Sequence, residues 1–181
     1  MDVISTSLDG VWQIPLVRTR DERGWFVRTF DANAFAALGL ETEWPLQAEG
    51  WNERAGTVRG LHLQREPHGE IKLIRCTRGA VYDVLVDVRR GSPTFGRWQG
   101  FDLSEDGDVM LYAPAGVAHG YQSLANGSAL HYLLSAPYTA EAAVGYRFDS
   151  PALGIPWPLA PSVISARDRA LPPFDASRVD A

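Results

Sequence analysis

Lysine is almost missing from this chain. Sixteen of its seventeen basic residues are arginine, and the single ammonium, Lys72, stands ten residues after a histidine in RGLHLQREPHGEIKLIRC. Cys76 is the only cysteine, so no disulfide can close within the chain. No apolar run approaches the roughly 18 residues that a bilayer crossing needs, so no membrane partner is expected. Basic runs are missing too, and a formal net charge of −5 with scattered arginines argues against nucleic acid as a partner. The polar start MDVISTSLDG has neither the charged nor the apolar region of a secretory leader, which leads us to expect a cytoplasmic protein.

What is present is enough for one domain over residues 1–181, with 45% hydrophobic content to fill a core. Short β-branched and aromatic runs recur between Gly, Pro and Asp: GWFVRTF, TVRGLHLQ, IKLIRC, AVYDVLVDV, RWQGFDL, VMLYAP, GYQSL and ALHYLLS. Eight such runs without alternating helices predict an all-β sandwich, jelly roll or barrel. Two stretches break the rhythm, a short N-terminal helix capped by Asp31 and ended by Gly39, and a final turn around SARDRALPP. The segment RGSPT predicts a hairpin connection, and the Pro-rich tail from Asp149 predicts an ordered wrap that is neither strand nor helix.

Chemistry-bearing residues fall on these strands. Where arginine is otherwise universal, a retained lysine suits a site that needs a compact point charge against one developing oxyanion. Strand alternation puts Lys72 on the face of Ile74 and Cys76, a lined pocket rather than open solvent. The same alternation puts Val58, Gly60, His62 and Gln64 on one face of TVRGLHLQ and Arg59, Leu61 and Leu63 on the other. Arg59 reaches the cavity of His62 only through a bulge at Gly60, where a residue without a side chain permits one. In APAGVAHGYQSL, a turn delivers His119 to the start of a strand in the manner of a second cupin motif. Metal-binding cupins need more histidines than remain: Gln64 stands where a second one belongs, and His68 and Glu70 are the substitutes. In ALHYLLS, Tyr132 shares a face with Leu130 and Leu134 and its hydroxyl needs a partner, while His131 points the other way. Ser165 and Asp168 have the spacing of a helix capping box, and no spacing rule connects Asp168 to His62.

Together DERGWFVRTF, VRGLHLQ, KLIRCTRGAVYDVLVDVRRGSPTFGRW, APAGVAHGY, the Tyr132 strand, IPWP and SARD resemble the dTDP-4-dehydrorhamnose 3,5-epimerase family, from about Asp21 to Pro173. The resemblance implies a cupin jelly roll, a homodimer, no metal or organic cofactor, and a nucleoside-diphosphate 4-keto-6-deoxy sugar as the substrate. It makes His62 the base, Asp168 its carboxylate partner, Tyr132 the acid, and Lys72 the group that meets the C4 enolate oxygen. It further implies that Arg23 and Arg59 hold the diphosphate, that His119 hydrogen-bonds the substrate, and that Arg28, Gln47, Glu49, Tyr138 and Arg167 contact it.

The chain departs from the family pattern around the nucleotide. Arg28 stands where the family has Glu, and Gln47-Ala48-Glu49 where it has Gln-Asp-Asn. Leu133 replaces the Lys after the acid tyrosine, and the Glu a few residues beyond Tyr138 is displaced or lost. Arg28 as donor and Glu49 as acceptor would suit cytosine, so the same chemistry on a CDP-linked 4-keto-deoxysugar, at both centres or at one only, is an alternative expectation. Mutual pairing of the two side chains, leaving dTDP bound, is the plainer one. A metal-dependent oxygenase or isomerase using His62, His68, Glu70 and His119, and a sugar-nucleotide binding module without turnover, are the remaining readings of the same residues.

Overall fold

In a computed structural model, residues 2–178 are described. The strands in chain order begin with β1 (Ile4–Ser5), β2 (Trp12–Pro15), β3 (Arg18–Asp21), β4 (Gly24–Val27), β5 (Leu46–Asn52), β6 (Thr57–Gln64) and β7 (Lys72–Arg78). They continue with β8 (Ala80–Asp87), β9 (Trp98–Ser104), β10 (Val109–Ala113), β11 (Val117–Ser123), β12 (Ser128–Leu134), β13 (Ala143–Gly145) and β14 (Val163–Ile164). Two short helices are α1 (Ala32–Ala37) and α2 (Ala166–Arg169). All eight expected runs form strands, and the RGSPT turn lies in the connection of the antiparallel β8–β9 hairpin. Asp31 caps α1 as expected, its carboxylate accepting from the N–H groups of Asn33 and Ala34, and Gly39 follows the helix at φ +69°.

The strands make two packed sheets, ordered β1-β2-β10-β7-β12-β5 and β13-β6-β11-β8-β9, with β14 added in parallel beside β6. Between them lies the apolar interior of a jelly roll. Ile74, Cys76, Leu111 and Leu130 from one sheet meet Val81, Leu85, Val117 and Tyr121 from the other. Each aliphatic side chain buried this way contributes about 1.5–3 kcal/mol. The outer faces are covered as well. Phe35 of α1 packs with Leu73, Met110 and Tyr112 on the first sheet. On the second, the tail lays Leu153, Ile155, Trp157 and Phe174 over Leu61, Val84, Val86 and Ala118.

That tail is the expected wrap, and its polar atoms explain its order. Trp98 and Trp157 donate their indole N–H groups to the carbonyls of Leu153 and Phe148, at 2.6 and 2.8 Å. The Gln122 amide makes two bonds to Leu159, donating to its carbonyl and accepting from its N–H. A proline-rich segment unable to join a ladder is thus tied to the sheet by side chains that substitute for one.

On β6 the alternation expected from sequence holds only in part. His119 of β11 faces His62, whereas Tyr121 faces Arg59, so β6 carries one residue more than its partner between these pairs. This is a bulge at Gly60. It turns Arg59 onto the inner face with His62 and moves Val58, opposite Gln122, to the outer one. The peptide bonds Gly60–Leu61 and Glu66–Pro67 are cis. Gly60 has φ +109°, and a Cβ there would lie 2.6 Å from both the Gly120 Cα and the His119 carbonyl oxygen. Gly60→Ala should therefore lower unfolding free energy by about 3 kcal/mol or more. Urea unfolding checks this; wild-type stability would show that the strand accepts a side chain after all.

Candidate active site

The inner face of β6 opens into a cleft of about 280 Å³ between the two sheets. Arg59 and His62 line one wall, Lys72 and Tyr132 the wall opposite, and His119 and Tyr121 its depth, with Tyr138 and Arg167 also on the lining. A groove of about 820 Å³ lies beyond Leu63, Gln64 and Val144, and contains none of His62, Lys72, His119 or Tyr132. Convergence of groups able to move protons, not size, marks the smaller cleft as the site.

His62 and Asp168 form a dyad. Nε2 of the imidazole is 2.7 Å from Oδ1 of Asp168, and Oδ2 accepts the Gly60 N–H at 3.1 Å. Burial opposes ionisation of this carboxyl. The hydrogen bond and charge of His62, with the Gly60 N–H and Ser165, outweigh burial and hold Asp168 below the usual carboxylate range. An ionised Asp168 accepts a hydrogen bond from Nε2–H, which leaves Nδ1 with its lone pair. Sequence spacing linked Asp168 only to a helix cap, and it is that too: Ser165 Oγ accepts from the Asp168 N–H at 3.0 Å. The cap fixes the start of α2 and so aims the carboxylate back at β6.

Lys72 is buried, with Nζ 3.1 Å from Glu70 Oε1 and donating to the His62 carbonyl at 3.3 Å. Two of its three N–H donors are thereby occupied, and one remains for an oxygen in the cleft. Tyr132 packs against the inter-sheet core. Burial first, then the neighbouring Tyr121 and Asp83, push its hydroxyl well above the ordinary tyrosine range, so it keeps its proton at neutral pH. His119 is held by a second carboxylate, its Nε2 2.7 Å from Asp83 Oδ2, while Asp83 Oδ1 is buried without a hydrogen-bond partner.

Four expected contact residues lie elsewhere in this chain. Gln47 and Glu49 turn to the outer side of β5, and Glu49 accepts instead from Thr77 Oγ1 at 2.9 Å. Arg23 pairs with Asp21, and Arg28 donates to Asp31 at 3.1 Å, so Arg28 and Glu49 neither line the cleft nor pair with each other. The reason is strand period: positions 48 and 50 face inward, hence 47 and 49 cannot. Nor does the proposed metal donor set assemble. His62 and His119 are engaged by carboxylates, Glu70 by Lys72, and His68 sits at 3.4 Å from Thr139 Oγ1 at the surface. Among the described residues no three His, Cys, Asp or Glu side chains are grouped to hold a metal ion.

Asn52, Asp83 and Tyr121 belong to the site although nothing singled them out in the sequence. Tyr121 was readable, two residues after His119 on the same strand face; Asn52 was not, because LQAEGWN carries little β propensity and forms β5 through pairing with β12.

A family model for dTDP-4-dehydrorhamnose 3,5-epimerase matches residues 5–176. The chain belongs to that family. It is 42% identical over 164 residues to the dTDP-4-dehydrorhamnose 3,5-epimerase of Sinorhizobium fredii, an alignment that covers 88% of this chain and 84% of the relative. It superposes with a TM-score of 0.92 and 34% identity on the crystal structure of the Bacillus anthracis enzyme with TDP and pyrophosphate bound, covering 96% and 99% of the two chains. A dTDP-4-dehydrorhamnose 3-epimerase from Streptomyces niveus is 36% identical over 166 residues, covering 90% and 78%. Family membership agrees with the jelly-roll fold.

Proposed function

We propose that this protein, acting as one domain, epimerises a dTDP-linked 4-keto-6-deoxyhexose by removing a proton next to the ketone and returning one to the opposite ring face. The observation that carries this is the His62–Asp168 dyad and Tyr132 on facing walls of one cleft, with Lys72 on the Tyr132 wall and donating to the His62 carbonyl. The 4-keto group acidifies hydrogens at C3 and C5. Nδ1 of His62 takes one, the third N–H of Lys72 meets the charge developing on the C4 oxygen, and Tyr132 supplies a proton from the other side. Arg59 offers its guanidinium to the diphosphate, with His119 and Arg167 contacting the sugar nucleotide and Tyr138 at its nucleotide end. The set needs no organic cofactor for these steps, and the place of work is the cytoplasm, in deoxysugar supply.

A homodimer completes the proposal. The β3–β4 hairpin pairs with neither main sheet and exposes Phe26 at 67%, with Val17 just before it at 81%. Apolar side chains this exposed on an isolated hairpin suit burial against a second copy, and Arg23 and Arg28 on that arm then serve the cleft of the partner. Sedimentation at micromolar concentration should give twice the 19.9 kDa chain mass; a monomer would remove the dimer and the role of both arginines.

Deuterium wash-in from D₂O, followed by NMR on dTDP-4-keto-6-deoxyglucose, tests the chemistry. Exchange with inversion at C3 and C5 is expected. Inversion at C3 alone would place the chain with its Streptomyces niveus relative, and no exchange at either carbon would overturn the function.

A further inference from the structure

Tyr132 does not stand alone in the cleft. Beside its hydroxyl stands that of Tyr121. Both crowd the space over Gly50, where an added Cβ would lie 3.2 Å from the Tyr121 oxygen and 3.9 Å from that of Tyr132. On its far side, the Tyr121 hydroxyl meets both ends of one amide. Asn52 Nδ2 donates to it at 3.0 Å, and it donates to Asn52 Oδ1 at 3.2 Å. Two further bonds fix which end of the amide is which: Arg59 Nε donates to Oδ1 at 2.9 Å, and Nδ2 donates to the Ser128 carbonyl at 3.2 Å.

An amide that offers a donor and an acceptor to the same hydroxyl leaves that hydroxyl satisfied in either of two orientations. Turned toward Oδ1, Tyr121 donates to Asn52 and leaves a lone pair on the Tyr132 side. Turned toward Tyr132, it becomes a donor there, and the Asn52 Nδ2–H fills the lone pair it has freed. We propose that Tyr121 is a positioning residue, a hydrogen-bond switch that turns its O–H from Asn52 to Tyr132 as Tyr132 gives up its proton. The switch rests on Tyr132 being the acid of the proposed reaction.

The balance is simple. The Tyr132 O–H bond breaks, a C–H bond forms on the substrate carbanion, and the negative charge passes from enolate to phenolate. Tyr121 keeps its own proton throughout and changes only the oxygen it faces. A phenolate at this depth lacks water to stabilise it, so a donor that arrives without net movement of heavy atoms lowers the cost of the transfer. The ring of Tyr121 is well placed for this, being buried in the inter-sheet core and unable to swing away.

Tyr121→Phe tests the switch, since it removes one oxygen and keeps the ring. With dTDP-4-keto-6-deoxyglucose in D₂O, formation of inverted product should fall about 10- to 100-fold, the worth of one hydrogen bond to a charged oxygen. Deuterium wash-in with retained configuration, which needs His62 and not Tyr132, should stay within about twofold of wild type. A merely structural lesion would depress both together. Equal losses in wash-in and inversion, or inversion at the wild-type rate, would overturn the switch. Absence of all exchange in the wild-type protein would instead overturn the reaction itself, and is read before the variant is made.

Discussion

His62→Ala is expected to reduce deuterium wash-in at both C3 and C5 by roughly 10²- to 10⁴-fold, the usual worth of a positioned general base. The expectation follows from geometry. No other imidazole in the cleft is free to accept a proton in the same way, because His119 points Nε2 at Asp83 from a buried position, whereas the His62 side chain is 38% exposed toward the cleft. No closed cavity is left behind, but the buried Asp168 carboxylate loses its partner, so a stability loss of about 1–3 kcal/mol should accompany the kinetic one. Asp168→Asn should show most of the same loss. An amide in place of the carboxylate can present its own N–H to Nε2, which favours the wrong tautomer, while the Ser165 cap on its N–H survives. Wash-in at either carbon within about tenfold of wild type in His62→Ala would show a second base and remove the assignment.

Lys72→Arg should lower kcat by about 10²- to 10³-fold although the charge is retained, comparable with loss of an oxyanion donor. The ammonium sits between Glu70 Oε1 and the His62 carbonyl at 3.1 and 3.3 Å, a space set for one nitrogen. A guanidinium is planar and longer, so its fork either displaces Glu70 or pushes past the point where the enolate oxygen must lie. KM should change far less than kcat, because the proposed holder of the diphosphate is Arg59, on the opposite wall. Steady-state kinetics decide it, and turnover within a few-fold of wild type would reduce Lys72 to a buried ion-pair partner of Glu70.

The parts of this molecule legible in its sequence were those governed by local period. Eight strands, the Asp31 cap and the inward placement of Lys72, His62 and Tyr132 follow from alternation and turn chemistry alone. What escaped depends on pairing between distant segments. Strand β5 exists because β12 pairs with it, not because its own residues prefer extension, and with it went Asn52 and the true facing of Gln47 and Glu49. The bulge at Gly60 was anticipated as a condition for Arg59 to reach the cleft, but Val58 was placed on the wrong face because strict alternation has no room for an added residue. Asp168 was attached to His62 only through family resemblance, since 106 residues separate them and the wrap that joins them carries no periodic signal.

That separation divides the site along the chain. The strands that carry His62, Lys72, His119 and Tyr132 are all complete by Leu134, while Tyr138, Ala143, Val144 and Arg167 of the cleft lining come after it. The carboxylate bonded to His62 lies more than thirty residues further along, at Asp168. A chain cut short before Asp168 would therefore keep all four cleft side chains and lose the carboxylate that orients the proposed base.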